Sequence, residues 1–424
     1  MKKDLSAAAT EFTSSGFLQV NVVNMVNNFP IRDAKISISY SGSPANTLEE
    51  LSTNSSGQSE NIELAAPPLE YSLEPGSSQP YSDYDLRITA PGFKPALIEG
   101  TEILPDATAI QPVRLEPEDD PAATENPIVI PEHTLYGNYP PKIAEPEIQP
   151  VGESGEIVLS RVVVPQTVVV HDGVPSDASA PNYYVPYRDY IKNVASSEIY
   201  ATWPQTTITA NILAIMSFTL NRVYTEHYRN RGYDFTITSS TAFDHKWIYG
   251  RNIYDSISII VDEIFDSYLS RPEVKQPILT QYCDGRKVQC LDRGWMTQWG
   301  SCSLGERGYS PIEILRHYYG DSMYINTAEE ISGIPASWPG YNLTIGSTGQ
   351  KVQQVQEQLD AIATVYSAIP RVTPDGIYGP STAAAVREFQ SVFGLPQTGV
   401  IDFATWYKIS HIYVGVSGIG ELNP

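Results

Sequence analysis

The chain has 424 residues, 41 % of them apolar, which is enough for two to four ordinary hydrophobic cores. Lys and Arg number 27 against 49 Asp and Glu, and a net charge of −22 excludes a general binder of phosphate backbones, so no nucleic acid is expected as a partner. No apolar run approaches a membrane-spanning length, so no membrane is expected either, and three Cys cannot staple a protein of this size.

Met1-Lys2-Lys3-Asp4-Leu5-Ser6 starts basic but turns polar at once, so no Sec signal is expected and export by the usual route is not predicted. Residues 1–15 read as a leader. Residues 16–115 predict a small β-sandwich. Ala34-Lys35-Ile36-Ser37-Ile38-Ser39-Tyr40 and Tyr84-Asp85-Leu86-Arg87-Ile88-Thr89-Ala90 alternate as half-buried strands do, with turn clusters such as Asn54-Ser55-Ser56-Gly57 between them. The order of these segments resembles the carboxypeptidase-regulatory-like sandwich family, and no catalytic constellation lies within them.

Residues 1–156 hold 24 acidic and 8 basic residues, a net −16, and the last 41 of them are rich in Pro. Glu116-Pro117-Glu118-Asp119-Asp120-Pro121, Tyr139-Pro140-Pro141 and Glu145-Pro146-Glu147 predict an extended, exposed acidic linker over 116–156. Two readings stay open for it, a passive tether or a site where proteolysis frees the rest of the chain.

Residues 157–330 must hold any chemistry. A helix is expected from Tyr187 to about Ile199, broken by Trp203-Pro204. A second, apolar around most of its circumference, is expected from Thr207 to Tyr224 at the centre of the block. Glu198 ends the first helix beside Ser197 and Trp203. A carboxyl against poorly hydrated walls keeps its proton towards neutral pH, as a general acid for glycosidic cleavage must. On its own the position also suits a solvated surface glutamate. Further on, Trp295-Met296-Thr297-Gln298-Trp299-Gly300-Ser301 suits a groove where sugar faces stack and amides bond hydroxyls, with the Ile312–Tyr319 segment as a helix behind it.

Tyr190-Ile191-Lys192-Asn193-Val194-Ala195-Ser196-Ser197-Glu198-Ile199, Ala210-Asn211-Ile212-Leu213-Ala214-Ile215-Met216 and Gly294-Trp295-Met296-Thr297-Gln298-Trp299-Gly300 together resemble the SpoIID family of peptidoglycan lytic transglycosylases. The resemblance implies a mixed α/β catalytic domain with Glu198 as the catalytic residue. It also implies that Gln298 lies on a Ser/Thr-Gln-aromatic-Gly motif of that family; with Ser197, Trp203, Asp244, His245, Tyr282, Trp299 and Ser301 it makes up the substrate-binding candidates, and no cofactor and no metal are expected. Where that family carries Lys and Arg on the central helix, this chain has Thr209 and Met216, so basic contacts are expected from Lys192, Lys246 or Arg293.

Cys283 and Cys290, seven apart around Asp284-Gly285, suit a hairpin disulfide or part of a metal site, and Cys302 stands apart.

Residues 343–415 predict a three-helix domain after a short linker over 331–342. Val352, Val355, Leu359 and Ile362 form one helical stripe, and Ser381/Thr382 signal the start of a second helix carrying Ala385, Val386, Phe389 and Val392. A third carries Trp406 and Ile409. Gly349-Gln350-Lys351-Val352-Gln353-Gln354-Val355 with Asp375-Gly376-Ile377-Tyr378-Gly379 resembles the peptidoglycan-binding domain family, which implies a non-catalytic wall anchor.

The expected fold class is therefore multidomain α+β: β-sandwich, linker, SpoIID-like block, helical wall-binding domain. That order resembles the clostridial spore cortex-lytic enzymes. It implies peptidoglycan glycan strands as substrate, an activating subtilisin-like protease as partner, and the spore cortex as location. A hydrolytic muramidase with Asp244 or Asp284 as second carboxylate is the close alternative. A wall-binding protein that stimulates an amidase is the non-enzymatic one.

Overall fold

The computed structural model describes residues 14–76, 78–118, 127–149, 159–291, 294–333 and 337–417. Most of the leader, the acidic run beyond Glu118 and Arg293 lie outside the described residues.

Seven strands build the N-terminal body: β1 (Ser14–Asn24), β2 (Lys35–Tyr40), β3 (Thr47–Ser52), β4 (Ile62–Ala66), β5 (Ser82–Thr89), β6 (Ala96–Ile103) and β7 (Thr108–Leu115), with one helical turn α1 (Glu70–Leu73) before β5. They form two sheets, β4-β1-β7 and β3-β2-β5-β6. Alternation decides which face is inside: Leu18, Val20 and Val22 of β1, Ile36 and Ile38 of β2, and Leu86 and Ile88 of β5 are all fully buried. Each sheet is lengthened by a strand from elsewhere. β8 (Ile128–Val129) adds in parallel to β6, and Ile253–Tyr254 of the central block adds antiparallel to β7.

The central block begins with β9 (Val163–Val164), β10 (Thr167–His171) and β11 (Asn182–Pro186), then α2 (Tyr187–Glu198) and α3 (Gln205–Tyr224). Both helices start on the residue after a proline, whose fixed φ near −52° leads the chain in. In α3 every residue from Ala210 to Arg222 is buried, because α2, α5 (Gln298–Glu306), α6 (Pro311–Tyr319) and β14 (Ser267–Ser270) surround it. β12 (Ile237–Thr238), β13 (Ile253–Tyr254), α4 (Asp255–Ile264), β15 (Tyr282–Cys283), β16 (Met296–Thr297), β17 (Tyr324–Thr327) and β18 (Glu330–Ile331) complete the block. Ser310 and Glu313 close a reciprocal capping box at the start of α6.

The C-terminal helices are α7 (Gln350–Val365), α8 (Pro380–Val392) and α9 (Phe403–Ser417). α8 starts one residue before the expected Ser381/Thr382 cap, since Pro380 at N1 follows Gly379 and needs no side-chain cap. The Thr382 hydroxyl instead accepts the Gln356 amide at 3.1 Å, and the same amide group binds Asp375, the Gly376 N–H and the Ile377 carbonyl. α9 docks on the central block, where Phe403 and Tyr407 pack on Phe265.

A buried ion pair, Arg251–Glu102 at 2.7 Å, joins the central block to the sandwich. The Asn252 amide adds hydrogen bonds to the Glu102 main chain in both directions. Replacing Arg251 by Met strands the carboxylate and is expected to cost about 3–5 kcal/mol. The double variant Arg251→Met, Glu102→Gln is expected to regain most of that loss, read from chemical denaturation of the full chain.

Candidate functional site

Glu198 is the last residue of α2, and its carboxyl is buried, 3 % exposed. Oε1 accepts the main-chain N–H of Lys246 at 2.6 Å, and Oε2 accepts the Tyr282 hydroxyl in a short hydrogen bond. The Gln298 amide donates to the Glu198 carbonyl at 2.9 Å, meeting one of the acceptors left open at the helix end. Three separate elements (the loop before Trp247, β15 and the start of α5) thus converge on one acid. Burial pushes its pKa up, while the Lys142 ammonium and the two hydrogen bonds oppose the rise.

Lys142 comes from the segment predicted to be an exposed linker. Residues 127–149 are extended, but they lie along the central block as a strap. The Lys142 side chain is buried, with its ammonium on the Asp244 carbonyl and 5.1 and 5.2 Å from the ring centres of Phe218 and Tyr282. Burial lowers its pKa, and the charges of Glu198 and Asp244 counter that. Thr134 donates through its N–H and hydroxyl to the Ser197 carbonyl, and the Lys287 ammonium bonds the Tyr136 carbonyl. The cavity left around Glu198 is about 60 Å³, lined by Gly137, Tyr139, Lys142, Tyr282, Asp284 and Gln298 among others. That holds a few waters and not a sugar ring. Compositional polarity pointed to an exposed segment, but paired charges and main-chain hydrogen bonds hold it down.

The Asp244 carboxylate is fully buried and taken up by donors of its own. Its carboxylate accepts Arg222 Nε at 2.7 Å, the Tyr228 hydroxyl at 2.6 Å and the Thr238 N–H and hydroxyl. Burial alone would raise its pKa; the Arg222 guanidinium and these donors hold it below the ordinary value. Asp284 is equally engaged, accepting the N–H groups of Arg286, Lys287 and Val288 in a turn. Cys283 and Cys290 form a disulfide closing that turn, and Cys302 is free and buried on α5. Among the described residues no group of three or more His, Cys, Asp or Glu is placed to share a metal ion.

Of the other candidates, Tyr282 and Gln298 touch Glu198, but several lie behind the site. The Ser197 hydroxyl bonds back to the Asn193 carbonyl inside α2. The Trp203 indole donates to the Ser72 carbonyl of the sandwich and packs with Tyr200 and Trp299, so both tryptophans form an interdomain core and not a sugar platform. Ser301 is fully buried, its hydroxyl shared by the Gln298 carbonyl and the Asn211 amide. His245 stacks parallel to Tyr282 and bonds the Tyr190 hydroxyl at 3.0 Å; burial holds its pKa well down, so it is a neutral support for Tyr282. Of the basic candidates, Lys192 pairs with buried Asp262 at 2.7 Å and does not reach the site. Lys246 does, through its N–H. Sequence reasoning missed Lys142 and Arg222. Arg222, the one charged residue of a helix that is buried from Ala210 to Arg222, was a visible signal that a buried anion awaits it.

Residues 348–409 match the family model of a peptidoglycan binding domain. A zinc D-Ala-D-Ala carboxypeptidase of Streptomyces albus G is 38 % identical over 73 residues, which are 17 % of this chain and 27 % of that protein. The chain therefore spans about a quarter of the length of that curated relative. Among solved structures, the SleB N-terminal domain is 27 % identical, with 17 % of this chain and 93 % of that one covered at a TM-score of 0.15. The minor pilin of Streptococcus agalactiae is 15 % identical over 27 % of this chain and 49 % of its own, at a TM-score of 0.18. The described C-terminal residues thus carry a peptidoglycan-binding domain, and a cell-wall role follows from it.

Lys142 favours the ionised form of Glu198, so its removal should raise the carboxyl pKa further. In Lys142→Met the protonated-carboxyl infrared band of Glu198, assigned by its loss in Glu198→Gln, is expected to persist to higher pH than in the parent.

Proposed function

We propose that this protein is a SleC-type spore cortex-lytic enzyme, a peptidoglycan lytic transglycosylase made as a precursor with its acid covered by the strap. The observation that carries the reading is Glu198, a buried carboxyl whose pKa burial pushes up, facing a cavity whose other carboxylate, Asp284, is engaged by three main-chain N–H groups. The match to a peptidoglycan-binding domain supports a wall substrate, and the likeness to a carboxypeptidase named for D-Ala-D-Ala agrees with that setting.

In this mechanism Lys246 N–H fixes Oε1, so in the acid form Oε2 carries the proton and the Tyr282 hydroxyl, its donor in the structure, turns to accept it. Glu198 gives this proton to the oxygen linking N-acetylmuramic acid to N-acetylglucosamine, and the anomeric C–O bond breaks. The 6-hydroxyl oxygen of the same muramic residue attacks the anomeric carbon and returns its proton to Glu198, closing an anhydro ring. No water is consumed. One carboxyl suffices because the nucleophile is intramolecular and already positioned. A hydrolytic muramidase would need a second carboxylate for water or for a covalent intermediate, and the hydrogen bonding of Asp244 and Asp284 argues against either as that group.

Lys142 inhibits twice in this reading: its side chain takes the space of a sugar, and its charge favours the ionised acid. Cleavage by a subtilisin-like protease after the strap, within residues 150–158, would let the strap leave.

Mass spectrometry of digested cortex is expected to show anhydro-muramic products from the cut chain and at least ten-fold less from the uncut one. Hydrated products alone refute transglycosylation, and an uncut chain of equal activity refutes inhibition by the strap. Glu198→Gln is expected to lose turnover by at least a hundred-fold with sacculus binding unchanged, and retained activity removes Glu198 from the mechanism. Because the acid form is required, kcat/KM should be flat at low pH and fall as pH rises through the raised pKa of Glu198.

A further inference from the structure

The part of the strap that runs away from Glu198, residues 143–149, is held by a groove whose chemistry matches a second kind of ligand. Its main chain is read at six points. The Gln281 amide accepts the Glu145 N–H at 2.9 Å and donates to the Ile143 carbonyl at 2.7 Å. The Gln276 amide accepts the Gln149 N–H at 2.7 Å and donates to the Gln149 carbonyl at 3.2 Å. The Ile143 N–H reaches the Ala242 carbonyl, and the Leu279 N–H reaches the Glu147 carbonyl. Two side chains are read as well. Glu145 lies on the Nη atoms of Arg222, at 3.0 Å and 2.5 Å, and Glu147 lies on Nε and Nη2 of Arg271, both at 2.7 Å.

These receptors belong to the central block and not to the strap. Gln276, Gln281 and Arg222 are each nine-tenths or more buried. Once the strap leaves, the Gln281 amide and the outer edges of two guanidinium groups lose their partners together, and the Gln276 amide keeps its bond from Asn221 at 3.2 Å but loses both of its bonds to Gln149; leaving polar groups of this kind unpaired is costly. Arg222 keeps Asp244, the Phe243 carbonyl and its contact with His227, and Arg271 keeps Ser322 and the Tyr319 carbonyl. The groove that remains is cationic within a chain of net charge −22. It also adjoins the acid, because Gln281 is followed directly by Tyr282, which bonds Glu198.

From these observations, and resting on the wall-cleaving reading above, we infer that residues 276–281 with Arg222 and Arg271 form a binding site for an extended acidic peptide, the stem peptide carried by the glycan strand. Glu145 and Glu147 hold the places of its two carboxylates. Two residues apart in an extended chain, they set the anion subsites about 7 Å from one another. A bare glycan carries lactyl carboxylates and acetamido groups, but not main-chain amides alternating with two carboxylates along one extended chain, so the spacing of the Gln276 and Gln281 pairings about the two anion subsites selects the peptide.

The test uses the full chain with Glu145→Gln and Glu147→Gln, cut within residues 150–158, so that the strap has lost both its anions and its tether to the groove and can be displaced. Phenylglyoxal labelling of Arg222 and Arg271, read by peptide mass mapping, is expected to be at least ten-fold faster than in the parent. A muramyl peptide with free carboxylates should slow labelling at least five-fold, and the same compound with amidated carboxylates should not. Adding Arg271→Gln should weaken protection of Arg222 by about ten-fold. The inference is overturned if the variant labels no faster than the parent, if the amidated peptide protects equally, or if a peptide-free muramyl disaccharide protects as well. The same labelling on a Glu198→Gln background separates the two readings: protection there with no anhydro product from any cut chain keeps the peptide site and discards the chemistry.

Discussion

One buried ammonium group organises the centre of this molecule. Among the described residues Lys142 has no carboxylate in direct hydrogen bond; it has the Asp244 carbonyl, the faces of two aromatic rings and the fields of Glu198, Asp244 and Glu145. An ion in so dry a place is tolerated when every neighbour is arranged for it. The arrangement extends outwards: Asp244 is fixed by Arg222, Tyr228 and Thr238, Arg222 by Glu145, and Phe218 lies under both cations. Glu198 is thus the outermost member of an alternating chain of charges, one end of which is carried by a removable piece of polypeptide.

That alternation resolves an apparent contradiction between a strap rich in Pro and Glu and its close docking. Proline keeps the segment extended and prevents it from joining a sheet as a full strand. Its hydrogen bonds go instead to glutamine side chains, which can bind an extended chain without imposing a strand register. Acidic side chains add ion pairs with Arg222 and Arg271 to the burial of Ile130 and Leu135 in the core. The result is a segment that docks through a few apolar anchors and two ion pairs, a suitable state for something that must leave.

Much of the architecture could be read from the residues alone. Alternation at Ile36 and Ile38, and the stripe at Val352, Val355, Leu359 and Ile362, depend only on local period, and these side chains are buried. The end of α2 at Glu198 and the start of α3 after Pro204 follow from local backbone chemistry as well. The site was only partly legible. Gln298 and Tyr282 reach Glu198, but Trp203 and Trp299 looked like a sugar platform and instead pack in an interdomain core, because nothing local reveals that Ser72 is waiting for an indole N–H. Lys142 was invisible for the same reason. Its partners are contributed by α3, the loop at Asp244 and β15, and no spacing rule in the linker encodes them. Composition reports how a segment behaves alone, and cannot report which charges a distant surface holds ready.

The strand exchange between the bodies has one more consequence. β8 zips the strap to one sheet of the sandwich, and the Arg251–Glu102 pair ties β6 of that same sheet to the central block, while β13 stitches the other sheet to the block. Severing the backbone beyond Gln149 breaks none of these contacts. Nicked protein would therefore run as two pieces on a denaturing gel yet travel as one particle through a sizing column. Its onset of activity would lag behind the nick by the time the two halves take to come apart.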